Sequence, residues 1–477
     1  MVFSSLFFLY AFFPLCMGLY ALARTTSARN VILLIFSLIF YAWGEPVYVC
    51  LLLGMAFFDW LFSLQMDKGH RKLWLILTCV VNLGILGVFK YLNFAADNVA
   101  ALFGTQSALP AIALPIGISF YTFQLLSYVI DVYRGEVAAQ RRFDTVLLYA
   151  SLFHQCVAGP IVRYADVENE LTARRVDWAD VSEGIRRFCV GLGKKVILAN
   201  TCGNLADTLI GAANGSVTPE AVQAAPASAL WMSMLAYTLQ IYFDFAGYSD
   251  MAIGMGRMIG FHYLENFNYP YIACSVKDFW RRWHMSLSTF FRDYVYIPLG
   301  GSRCSLSRTL FNMLVVWALT GLWHGASWNF VLWGLWFFLF LTAETLFLGK
   351  ALRKAPAVGW LYTLLVVYFG WVLFRFQDME VITAVVRGMF GGASAGWSTY
   401  ETATLMKNHL FFLPVAALCA TPLFRRLSSG WQTLGQKNTL LAAIYGVAQV
   451  VWPLILLGVS TVMLVGNSYN PFLYFQF

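Results

Sequence analysis

Apolar residues in this chain come in long blocks, at about 3–23, 31–43, 47–66, 73–89, 112–130, 196–210, 228–246, 310–326, 328–346, 358–374, 409–424 and 439–466. A bilayer core about 30 Å thick is crossed by about 20 apolar residues in a helix. Inside hydrocarbon only helices and closed barrels satisfy their own backbone. The pattern predicts an all-α, polytopic integral membrane protein with roughly 11–12 spanning helices. Blocks 31–43 and 196–210 are short for a full span. The run from Phe311 to Phe340 is too long for one, and Gly, Ser and Asn at Gly325–Asn329 predict a break there. The first block lacks a basic leader and an A-x-A-like end, so it reads as a retained span.

Two stretches do not follow the block pattern. Residues 144–160 are apolar but flanked by basic groups on both sides, which predicts a segment that enters and leaves on one face. Residues 264–308 mix charge with apolar residues at helical spacing (Phe279, Trp283, Leu287, Phe290), which predicts interfacial helices. With no linker or low-complexity tract, residues 1–477 read as one membrane domain, ending in an aromatic tail at 467–477.

Charge then orients the spans. Arg24 and Arg29, Lys68 to Lys72, Arg134 to Arg142, Lys350 to Lys354 and Arg425 to Lys437 fall on one side, whereas loops 95–111 and 211–227 hold no Lys or Arg. Basic loops stay cytoplasmic, so both termini are expected outside.

Composition narrows the class. Residues are 60% hydrophobic and 12% charged, about half the charge a soluble domain carries, so a soluble enzyme is excluded. The net charge of +8 is explained by topology and does not argue for nucleic acid. Nine scattered cysteines without a CxxC pair do not argue for a metal or disulfide framework. Walker A, G-x-S-x-G and HExxH motifs are missing from the sequence.

Two of the six histidines stand out. His324, in Leu322-Trp323-His324-Gly325, lies in the most apolar part of the chain. An ionisable group at membrane depth costs a few kcal/mol and usually faces a cavity. It is either a neutral histidine bonded to backbone or a general base. His284 closes Phe279-Trp280-Arg281-Arg282-Trp283-His284 and is either an interface anchor or part of a site. Asp244 and Asp250 also approach membrane depth, where they would pair with Arg257, cap a broken helix or carry protons.

At these histidines the chain resembles the membrane-bound O-acyltransferases (MBOAT), in the bacterial branch of alginate and peptidoglycan O-acetyltransferase membrane subunits. The matching blocks are VKDFWRRWHMSLSTFFRDYVYIPLGGSR (276–303) and TGLWHGASWNFVLWG (320–334), supported by YFDFAGYSDMAIG (242–254), NFNYPY (266–271), FYAWGEP (40–46) and LPIGISFYTFQ (114–124). The resemblance implies His324 as catalytic histidine and His284 as the second signature histidine. It implies no permanently bound cofactor or metal, acetyl-CoA as cytoplasmic donor, and an SGNH-hydrolase-like partner that passes acetyl to an exported polysaccharide at the bacterial inner membrane. The closing Phe472-Leu473-Tyr474-Phe475-Gln476-Phe477 is similar to a terminal motif of this branch in which the tyrosine carries the acyl group. A plain aromatic anchor is the other reading of Tyr474. Lys277, Arg281, Arg282 and Arg303 are candidates for the CoA phosphates, against a role in orientation and anionic-lipid contact. A D-alanyl or lipid acyltransferase of the same fold and a proton-coupled transporter are the alternative functions.

Overall fold

A computed structural model describes residues 1–156, 159–212, 216–467, 469–471 and 473. Secondary structure is helical throughout, with no strand among the described residues. Six helices there are long and apolar enough to cross a membrane: Thr26–Gly44, Val49–Met66, Arg71–Leu102, Trp328–Lys354, Pro356–Arg375 and Thr439–Gly466. The protein is a multi-pass membrane protein.

Capping and proline decide where several apolar blocks begin and stop. The short 31–43 block becomes the 19-residue Thr26–Gly44 helix because the Thr25 side chain accepts the Ala28 N–H (3.2 Å) and starts the helix early. The 409–424 block differs from its expected span. Only Phe412–Cys419, 8 residues, is helical within its first part, and Pro422 follows, where its ring and missing N–H prevent continuation.

The chain forms two compact units, Met1–Phe188 with Tyr248–Glu265, and Cys189–Gly247 with Asn266–Phe477. In the first, Val49–Met66, Arg71–Leu86 and Ile118–Arg134 pack on one another. The buried Asp59 of one accepts a hydrogen bond from Asn82 Nδ2 of the next (2.7 Å). The 144–160 stretch is the nine-residue Phe143–Ser151 helix, a break at Leu152 and the single turn Phe153–Cys156. Its residues 145–156 are buried in protein, the setting in which irregular backbone is tolerated at membrane depth. Residues 157–158 of that stretch lie outside the described residues.

In the second unit, Leu306–His324 and Trp328–Ala343 form an antiparallel hairpin. The break expected at Gly325–Asn329 falls at Gly325–Ser327. The two helices approach through glycine on both sides. A methyl group on Gly321 would lie 2.4 Å from the Phe330 carbonyl oxygen, and one on Gly334 2.4 Å from that of Trp317. Pro356–Arg375 packs against the same hairpin, tied by Trp336 Nε1 donating to the Val366 carbonyl (2.9 Å). Within residues 264–308, before Leu306 opens the next long helix, the helices are short: Pro270–Ile272, Val276–Trp280, Met285–Phe291 and Arg292–Tyr296. Their apolar side (Val276, Phe279, Trp283, Leu287, Phe290) is buried in protein.

Candidate active site

His324 is the last residue of its helix. Gly325 adopts an extended conformation and ends it. A side chain at 325 would strike the Phe330 ring, 2.2 Å from the nearest carbon. Glycine at this point lets Phe330 fold over the turn and holds His324 inward. The His324 ring is 6% exposed and meets Trp333 and Phe374 nearly perpendicularly, at centroid distances of 4.9 and 5.1 Å. Phe374 is kept there by Asn329, whose Nδ2 donates to the Leu373 carbonyl (3.2 Å). His324 lines a small cavity with Asp244, Phe245, Trp333, Trp371 and Leu473. Its volume is about 10 Å³, close to the minimum that holds one water.

His284 sits one ring away. Phe245, which lines the cavity, stands edge-on to it at 4.6 Å. Trp323 lies 5.9 Å from His284 and 5.0 Å from His324. The His284 backbone is left-handed, with φ 44°, uncommon for any residue but glycine. Asn266 accounts for it. Its carbonyl oxygen accepts the Met285 N–H (3.0 Å), and its Oδ1 accepts the Ser286 N–H (3.2 Å) and the Ser286 hydroxyl (2.9 Å). A backbone N–H can only donate, so the Asn266 atom facing it is oxygen. His284 Nδ1, 3.2 Å from that oxygen, therefore carries the proton, and Nε2 presents a lone pair. Nε2 is buried with no hydrogen-bond partner among the described residues. Burial pushes the His284 imidazole down to about 3, so the ring is neutral at physiological pH.

The candidate phosphate-binding residues divide. Lys277, Arg281 and Arg303 are exposed. Arg282 is held by Asp278 through Nε–Oδ2 (3.0 Å). The helix that carries Lys277 is fixed from behind by Glu344, whose carboxylate accepts the Val276 and Lys277 N–H groups (2.6 and 3.1 Å). None of the four lines the His324 cavity.

The acids are placed differently from their sequence reading. Ala227–Met258 runs unbroken for 32 residues, so neither Asp244 nor Asp250 caps a helix break. Asp250 pairs with Arg187 (2.9 Å) and Arg257 with Asp180 (2.9 Å). Asp244 pairs with Lys195 (2.6 Å), with both side chains almost fully buried. Lys195 escaped the sequence reading, although an acid at membrane depth calls for a basic partner. The same pair holds the tail. Lys195 Nζ donates to the Pro471 carbonyl and Asp244 Oδ2 accepts the Leu473 N–H (3.1 Å). Tyr474 lies outside the described residues.

A larger polar cavity, about 990 Å³, is lined by Asn204, Asp207, Gln240, Arg375, Tyr469 and Leu473, among others. Leu473 thus borders both spaces.

Residues 142–385 match the family model of the membrane-bound O-acyltransferases. That range contains both histidines and the helices that position them. The chain belongs to the MBOAT family. This MBOAT protein is 40% identical to a probable alginate O-acetylase, AlgI, of Pseudomonas aeruginosa, over 88% of this chain and 79% of the relative. It is 29% identical to a peptidoglycan O-acetyltransferase of Helicobacter pylori, over 100% of this chain and 98% of that protein. A teichoic acid D-alanyltransferase of Bacillus subtilis is 29% identical over 55% of this chain and 67% of its own length. The MBOAT protein is an acyltransferase, and O-acetyl transfer is what its full-length relatives are named for.

Proposed function

We propose that this MBOAT protein takes acetyl from cytoplasmic acetyl-CoA and delivers it outside the bacterial inner membrane for O-acetylation of an exported polysaccharide, alginate-like or peptidoglycan, through an SGNH-hydrolase-like partner. The observation that supports the reading is Leu473, which directly precedes Tyr474 in the sequence and lines the His324 cavity. In this reading His324 takes the proton of the Tyr474 hydroxyl. The phenolate oxygen attacks the thioester carbonyl, and the tetrahedral intermediate collapses with loss of the CoA thiolate, which takes up the proton. A phenol has a pKa near 10, so its ester transfers readily to a serine hydroxyl of the partner. His284, fixed as the Nδ1–H tautomer, orients groups beside the cavity. Lys277, Arg281 and Arg303 offer exposed positive charge to the CoA phosphates on the expected cytoplasmic side, with Arg282 contributing through its pair with Asp278.

Two variants test this. His324→Ala inserts normally and loses glycan acetylation by about 100-fold or more, the usual contribution of a general base. Tyr474→Phe keeps the ring and acetyl-CoA binding and abolishes glycan acetylation. Mass spectrometry of the wild-type C-terminal peptide, prepared without partner, shows an acetyl group on Tyr474. Full acetylation in Tyr474→Phe rejects the carrier role.

A further inference from the structure

We propose that the buried Lys195–Asp244 pair is a clamp that holds Pro471 and Leu473 and so fixes the register of the tail where Leu473 borders the His324 cavity. The consequence for acetyl transfer rests on the carrier reading of Tyr474; the clamp itself does not.

Lys195 and Asp244 come from different helical segments, Lys194–Ala199 and Ala227–Met258, and their side chains are 1% and 2% exposed. Taking two charges out of water is costly, and an apolar pair of similar volume usually serves stability as well or better. What an apolar pair cannot do is hold a main chain. Here the ammonium donates to the Pro471 carbonyl, and the carboxylate accepts the Leu473 N–H at 3.1 Å. The polarity is matched: cation to carbonyl, anion to N–H, on the two sides of residue 472.

Main-chain contacts alone would tolerate a slip. The register is read upstream by side chains. Asn200 Nδ2 donates to Asn470 Oδ1 (3.1 Å), and the Tyr469 hydroxyl donates to Asp207 Oδ2 (2.7 Å). Arg375 holds the other oxygen of Asp207 at 2.8 Å. Residues 469, 470, 471 and 473 are thus each fixed by a separate group. A slip of one residue in an extended segment moves the chain by about 3.3 Å, and misplacement of about 1 Å can cost a reaction roughly 100-fold.

The decisive variant exchanges the charges, Lys195→Asp with Asp244→Lys. It preserves an ion pair but offers a carboxylate to the Pro471 carbonyl and an ammonium to the Leu473 N–H. A second variant, Lys195→Met with Asp244→Leu, removes both charges. A third, Leu473→Pro, removes the donated N–H from the tail side, together with the leucine side chain, and leaves the pair intact; Leu473→Ala, which keeps the N–H, is its control. Each is made in the full-length protein, and amide hydrogen exchange of the peptide that holds residues 469–473 is read by mass spectrometry. Acetyl-CoA binding and cellular glycan acetylation are measured alongside.

The expected result is exchange in that peptide that rises by at least about ten-fold, as when a seated segment is set free. Donor affinity stays unchanged and glycan acetylation falls roughly 100-fold. A charge-exchanged protein that inserts, keeps its tail protected and acetylates normally overturns the proposal, because a merely structural ion pair would survive the exchange. Should neither pair variant insert, Leu473→Pro decides alone, and a protected tail with normal acetylation there overturns the clamp. An active Tyr474→Phe protein together with a freed tail in the exchanged variant removes the carrier and leaves the clamp. An inactive Tyr474→Phe protein with a protected tail does the reverse.

Discussion

His284 combines two demands that substitution can separate. Its backbone is left-handed, and its ring is neutral, buried and fixed by Asn266. Asparagine enters the left-handed region more easily than most residues and is shorter than histidine. His284→Asn should therefore keep the turn and lose the ring, whereas His284→Ala also strains the turn, at about 1–2 kcal/mol. The expected outcome is loss of acetylation in both variants, with the Ala protein melting at a lower temperature than the Asn protein. Equal melting temperatures would mean that the backbone conformation is not what the side chain supports. The burial of His324 was legible in the sequence, because a histidine inside an apolar block sits at membrane depth; the burial of His284, which follows two arginines closely, was not. Nor were Asn266 and Lys195. Asn266 stands 18 residues from His284, and an asparagine in a loop carries no sign of which backbone it will hold. Lys195 adjoins Lys194 at the edge of an apolar block, where a basic residue ordinarily marks topology.

At the scale of elements, the hairpin that ends in His324 depends on the close approach of its two helices. Gly321 lies one turn before His324, and a methyl at Gly334 would press on the Trp317 carbonyl at 2.4 Å. Both obstacles are backbone, which cannot rotate away, so Gly334→Ala must push the helices apart. The expected cost is about 1–3 kcal/mol, as for overpacking elsewhere, together with reduced activity from displacement of His324. Gly458, in the Thr439–Gly466 helix, would present its methyl to open space, so Gly458→Ala is the matched control and should leave both properties intact. Thermal melting and acetylation of the two variants check this; equal behaviour would show that the hairpin relaxes freely. The break at Gly325 was legible because a run of some 30 apolar residues (311–340) exceeds a bilayer's need of about 20. The unbroken Ala227–Met258 helix was not, since Asp244 and Asp250 look like interruptions until their basic partners, Lys195 and Arg187, are brought to them by other helices.

For the molecule as a whole, buried neutral histidines make stability depend on acid. His154 and His284 are 0% and 1% exposed. His154 lies in the single turn Phe153–Cys156 of the first unit, its Nδ1 3.1 Å from the Tyr263 hydroxyl, and His284 lies in the second. Burial pushes both imidazoles down to about 3, with the Arg174 charge adding to the effect at His154. Unfolded, each would titrate near 6.5. The folded values are depressed, so the unfolded chain binds protons more readily. Stability present above pH 6.5 is lost as pH falls from there toward 3. At pH 5 the loss is about 2 kcal/mol for each histidine. Melting of the detergent-solubilised protein at pH 7.5 and pH 5 should show it. His154→Asn and His284→Asn should each remove part of the pH dependence, and the double variant most of it. A wild-type melting temperature that does not move between these pH values would mean that water reaches both rings. The same burial that makes the protein acid-labile keeps an uncharged imidazole beside the His324 cavity. A charged ring there would have to be desolvated, so mild acid is expected to weaken the fold before it changes the protonation of His284 in the folded protein.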